Sequence, residues 1–119
     1  MFILSQILVL LTAALFGYII YLETFATTSP ATARVFKLSQ EQLSEPRFNV
    51  LMCNQGIYNG CIALMLAYSA LFAAQAKETA ALLLLNCIVV AAYGAFTSNK
   101  SILLKQGGLP ILALISLWF

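Results

Sequence analysis

The sequence contains no histidine, and charged residues make up only 8% of its 119 positions. Aspartate is missing as well, so the acidic side chains are Glu23, Glu41, Glu45 and Glu78 alone. These absences exclude a histidine-ligated metal centre, a Ser-His-Asp triad and an imidazole proton shuttle within one chain. A soluble domain carries about 25% charged residues, so this chain could not cover itself with a polar surface. Disorder fails for the opposite reason, because 62% of the residues are hydrophobic. Nucleic-acid binding has no support, since a net charge of +2 comes from scattered cations without a basic stripe. The three cysteines do not form a disulfide scaffold. Cys53 and Cys61 would lie about 12 Å apart along a helix, beyond disulfide reach. Cys87 sits in another apolar run, and all three read as small packing residues. No cofactor-binding motif is visible.

What is present is apolar length. A helix needs about 20 mostly apolar residues to cross a bilayer, and four stretches qualify: about 2–22, 48–74, 79–96 and 99–119. The expected fold is therefore all-α, a four-transmembrane-helix bundle forming a single domain over residues 1–119. A secretory signal peptide is the rival reading of the first stretch, but it lacks a basic n-region and is too long for an h-region. Lys105, Gln106, Gly107, Gly108 and Pro110 interrupt the fourth stretch, either bending it or exposing backbone to a cavity.

The polar segment from Thr27 to Arg47 reads as a short interfacial helical segment between the first two spans. Ser29 before Pro30 is a cap-then-proline start, and Ser39 with Gln42 fits a capping box. Pro46 suits the first turn of the second span. Val35, Phe36, Leu38 and Leu43 could lie on the membrane, with Arg34 and Lys37 toward headgroups. Tight connections are expected at 75–78 and at Ser98–Asn99. Arg34, Lys37, Arg47, Lys100 and Lys105 fall on one side and Lys77 on the other. The cation bias puts the 1–2 and 3–4 loops in the cytoplasm and both termini outside a cell (inner) membrane.

Polar residues then gather toward the cytoplasmic ends of the spans: Glu23, then Asn54, Gln55, Tyr58 and Asn59, then Tyr93, Thr97 and Gln106. At about 100° per residue, Asn54, Tyr58, Gln55 and Asn59 form one arc, with Gly56 and Gly60 on the adjoining face. Amides facing lipid are costly, so the arc is expected to face the bundle interior. Gly56 and Gly60 would let a neighbouring helix approach, with Ala13 and Gly17 as the counterpart on the first span. Asn86 stands alone near the middle of the third span and reads as a helix-interface amide. Tyr18 and Tyr21 read as interfacial belt residues. Glu23 is either solvated or paired with Arg34, Arg47 or Lys105, or else it is a proton or cation site facing the amides.

The same residues carry a resemblance. In order come Glu23-Thr-Phe, Thr28-Ser-Pro30, Val35-Phe36 and Asn54-Gln-Gly-Ile-Tyr-Asn-Gly60. Val89-Val-Ala-Ala-Tyr-Gly-Ala-Phe-Thr97 and Lys105-Gln-Gly-Gly-Leu-Pro110 follow. Together they resemble the bacterial and fungal small membrane proteins grouped as domain of unknown function 1304, over nearly the whole chain. Asn-Gln-Gly-x-Tyr-Asn-Gly is the most specific element. The resemblance implies a four-helix integral membrane protein and supplies no reaction or substrate. The chain departs from that pattern in lacking a tryptophan between the Glu and the Pro, and in carrying Lys37 where a glycine often follows Val-Phe. Small multidrug-resistance transporters are similar in size and layout, but there the glutamate lies in the middle of its helix.

Three functions follow from the residues. The first is binding or transport of a small polar or amphiphilic ligand in a pocket around Glu23. The second is a structural subunit whose amides only lock helices. The third and weakest is an intramembrane enzyme, for which no paired carboxylates or activated nucleophile is visible. The expected partners are the lipid bilayer, such a ligand and, given the Gly and Ala faces, a second copy in a homodimer.

Overall fold

The computed structural model describes residues 2–97 and 100–118. Met1, Phe119 and the expected Ser98–Asn99 connection lie outside the described residues. Everything regular among the described residues is helical. α1 spans Ile3–Ile20 and runs on as a π-helical turn, Tyr21–Phe25. α2 (Pro30–Phe36) and α3 (Gln40–Ser44) follow, then α4 (Pro46–Leu71), α5 (Ala76–Thr97) and α6 (Ser101–Ser116). Three helical stretches are long and apolar enough to cross a membrane: Ile3–Phe25, Pro46–Leu71 and Ala76–Thr97. α6 is apolar but has 16 residues, about 24 Å of helix against a hydrocarbon core of about 30 Å. It continues unbroken through Gly107, Gly108 and Pro110, so those residues interrupt the hydropathy and not the helix.

The local signals of the 27–47 segment are realised in two short helices. The Ser29 side chain accepts from Thr32 N at 3.2 Å, with Pro30 in the first turn of α2. Ser39 accepts from Gln42 N at 3.0 Å, while Gln42 Oε1 accepts from Ser39 N at 2.9 Å, a reciprocal capping box that starts α3. Pro46 opens α4, where its missing N–H has no intrahelical partner to lose. α2 ends at Lys37, whose φ of 55° lies in the left-handed region, and its N–H donates to Ala33 O. Glycine takes that conformation without cost, whereas a side chain there costs about 1–2 kcal/mol. Lys37→Gly should therefore raise stability by about 1 kcal/mol, read as a higher unfolding midpoint in detergent; an unchanged or lower midpoint would contradict it.

The chain forms two compact units, residues 1–15 with 64–119, and residues 16–63. In the first, α5 and α6 form the main pairing. Ala80, Leu84, Cys87 and Ala91 are buried on α5; Gly107, Pro110, Ala113 and Ser116 are buried on α6. A Cβ added at Gly107 would stand 3.3 Å from Ala91 Cβ, so small residues let these helices come close. Polar ties close the ends: Ser5 Oγ donates to Ser116 O at 2.9 Å, and Gln6 Nε2 donates to Ala70 O at 2.8 Å.

Candidate functional site

The second unit, 16–63, holds the candidate site, and its geometry begins with the end of α1. At Tyr21–Phe25 the helix widens, with Ala26 N donating to Tyr21 O at 2.8 Å. Such π turns strand carbonyls that an α-helix would satisfy, and they recur at functional positions. Threonine hydroxyls take up the slack here. Thr27 Oγ1 donates to Glu23 O at 2.7 Å. Thr32 Oγ1, fully buried, lies 2.6 Å from Ala26 O and 3.1 Å from Leu22 O. Ser29 Oγ is 3.0 Å from the same Thr32 hydroxyl, so the cap of α2 and the end of α1 share one network.

That turn aims Glu23 at α4. The residue is only 4% exposed, and its Oε1 accepts from Asn59 Nδ2 at 2.6 Å. Of the two readings of Glu23, solvated or paired at a helix end against facing the amides, the geometry fits the second: the wide turn carries the side chain inward to Asn59. Beside it, Thr24 Oγ1 donates to Cys53 O at 2.9 Å, and Cys53 Sγ is 3.6 Å from Thr27 Oγ1.

Close approach is set by glycine. A Cβ added at Gly56 would collide with Thr24 Oγ1 and stand 3.0 Å from Glu23 Cβ and 3.1 Å from Thr24 N. At Gly60 it would collide with Ile20 Cδ1. The partners of the two glycines are thus Ile20 and Thr24, one helical turn apart. The expected counterpart is different. A Cβ at Gly17 would meet nothing within 4 Å, and Ala13 is buried in the other unit.

The amide arc is divided by this arrangement. Asn59, at the edge adjoining the glycines, turns toward Glu23. Asn54 and Gln55 are exposed, and Tyr58 is 72% exposed. Among the described residues no hydrogen bond reaches the side chains of Asn54, Gln55 or Tyr58. The glycine face, which alone admits another backbone, faces α1, and the arc is left on the other side of α4. Tyr93, Thr97 and Gln106 belong to the other unit. There Tyr93 and Thr97 are exposed and the Thr97 hydroxyl donates to Tyr93 O at 2.8 Å, while Gln106 is half-buried. Thr24, Thr27 and Thr32 were not singled out by sequence reasoning, and Cys53 was read there as a small packing residue. Only Cys53 had a usable signal, since its spacing to Gly56 and Gly60 puts all three on one helix face.

A chain whose regular elements are helical among the described residues, with three helices long and apolar enough to cross a membrane and a buried, amide-bound carboxyl, is the class that fold and site define. Residues 10–118 match the family described as protein of unknown function (DUF1304), and the chain belongs to that family. It is also 54% identical, over the full length of both chains, to the "Uncharacterized protein YpaA" of Lactococcus lactis subsp. lactis (strain IL1403). No solved structure matches.

Proposed function

We propose that the chain is a multi-pass protein of the cell membrane that binds or transports a small polar or amphiphilic molecule at Glu23. In this reading α6 is a fourth span, both termini lie outside, and Glu23 stands near the cytoplasmic end of α1. The observation that carries it is a carboxyl buried at the end of an apolar helix and met by an amide, Asn59. Packing alone has no need of an acid there. Glutamine or leucine would fill the same space without the cost of withdrawing a carboxylate from water. A buried carboxyl in a membrane helix is a functional candidate for that reason. In this reading Asn59 is the member of the arc that meets the ligand beside Glu23, and Asn54, Gln55 and Tyr58, on the other side of α4, are not part of the pocket.

A structural role is the second reading. It is favoured by the Thr24–Cys53 hydrogen bond and the glycine contacts, which clasp α1 to α4 whether or not Glu23 titrates. An enzymatic role is the weakest, because among the described residues no second carboxyl is paired with Glu23.

Purified protein in liposomes separates the readings. Wild type should give a flux of small cations or amphiphiles that depends on pH, and Glu23→Gln should abolish it. The glutamine carbonyl can still accept from Asn59 Nδ2, so the variant should fold. A flux unaltered by the substitution would remove Glu23 from the transport reading.

A further inference from the structure

On α5, Leu82, Asn86, Val89, Tyr93 and Phe96 recur at alternating steps of four and three residues, and all five are exposed. This is the 3.5-residue period of a helix seam that pairs with another helix at a shallow crossing angle. The stripe lies about 180° around the helix from Ala80, Leu84, Cys87 and Ala91, the face buried with α6. Its own unit therefore leaves the seam uncovered. Where it begins, a groove of ≈ 950 Å³ opens between the end of α4 and the start of α5, with Tyr68, Phe72 and Leu82 in its walls.

Asn86 decides what belongs there. It sits at the midpoint of Ala76–Thr97, about 15 Å of helix from either end. Among the described residues no hydrogen bond reaches its side chain. A lipid chain would leave that amide unsatisfied at the most apolar depth of a bilayer. A partner must therefore present a donor and an acceptor at that same depth. A second copy inserted in the same orientation does so, because a two-fold axis along the membrane normal sets Asn86 against Asn86. Each amide has both an N–H donor and a carbonyl acceptor, so the pair satisfies itself. One amide in a seam otherwise built of aliphatic and aromatic side chains is also the device that holds two helices in register.

We infer that this stripe of α5 is the docking surface for a second copy of the chain, with Asn86 as its central contact, resting on the reading of α5 as membrane-spanning. The test places a photo-crosslinking amino acid singly at Leu82, Val89 or Tyr93, and at the flanking exposed positions Leu85 and Val90, in membranes washed with alkaline carbonate. Retention through the wash and products of twice the chain mass from the seam positions, with little from the flanking ones, are expected. Asn86→Leu should lower the seam yield about three- to tenfold, the range of measured interhelical hydrogen bonds in membranes, and Asn86→Gln should restore much of it. Release by the wash would overturn the membrane reading and the seam with it. Retention with no dimer product, with lipid adducts alone, or with equal yields at seam and flank would overturn the seam and leave the Glu23 reading standing. A seam yield unchanged in Asn86→Leu would overturn the role of the amide.

Discussion

Asn59→Leu should be among the most damaging single substitutions in the chain. It removes the donor that meets Glu23 Oε1 at 2.6 Å and leaves a carboxyl that is 4% exposed. A buried group stripped of its partner costs about 1–3 kcal/mol, and more when it is charged. The expected result is a large drop in the unfolding midpoint in detergent, or loss of folded protein from the membrane. The defect belongs to the orphaned acid and not to the missing amide, which gives the prediction a second arm. Glu23→Leu placed on top of Asn59→Leu replaces both partners by apolar groups and should recover most of the loss. The two positions should therefore couple strongly in a double-mutant cycle, within the 0.5–3 kcal/mol seen for contacting residues. Additive losses would show that Asn59 acts through packing elsewhere.

Substitution of the glycines should give opposite signs along the chain. Gly56→Ala puts a methyl group into Thr24 Oγ1, Glu23 Cβ and Thr24 N. The hydroxyl could swing away only by giving up its bond to Cys53 O, and the other two atoms lie on or next to the backbone of the turn. Overpacking of this kind costs about 1–3 kcal/mol, and Gly56→Leu should exceed it. Gly60→Ala meets only the side chain of Ile20, whose end can move, and should cost less. Gly17→Ala meets nothing within 4 Å and should stabilise by up to about 1 kcal/mol through helix propensity. Unfolding midpoints in one detergent would rank the three. A neutral Gly56→Ala would mean that α1 and α4 are held apart by more than the geometry gives.

The elements were largely legible in the sequence, because their causes are local. Ser29-Pro30 and the Ser39–Gln42 pair act within one turn, and α2 and α3 start where they require. α4 and α5 begin two to three residues before the expected spans, since their polar first turns, with Arg47 and Lys77, are helical without being apolar. The choice of helix face was not legible. A solvation argument turned Asn54 and Tyr58 inward, but contact between α1 and α4 depends on which residues permit it. Gly56 and Gly60 have no side chain to hold α1 away, and Asn59 faces Glu23 because it borders them. Nor could the Thr27 and Thr32 bonds be read. Both hydroxyls serve main-chain carbonyls, which every residue carries, so no residue pattern marks them. Glu23 and Asn59 were both recognised as candidates; that they meet each other depends on the π turn, which no composition signal announces.

That turn has a consequence for how the site could be lost. Residues 21–25 wind more slowly than an α-helix, so the direction in which Glu23 points depends on how many residues lie in the loop of helix before it, as well as on which they are. Deleting a single residue from that stretch would let it tighten into ordinary helix and swing the carboxyl away from Asn59, with both residues still present. Among relatives, chain length between the apolar run of α1 and the Thr-Ser-Pro start of α2 is therefore as informative as residue identity. A homologue one residue shorter there could keep every side chain of the site and still lack it.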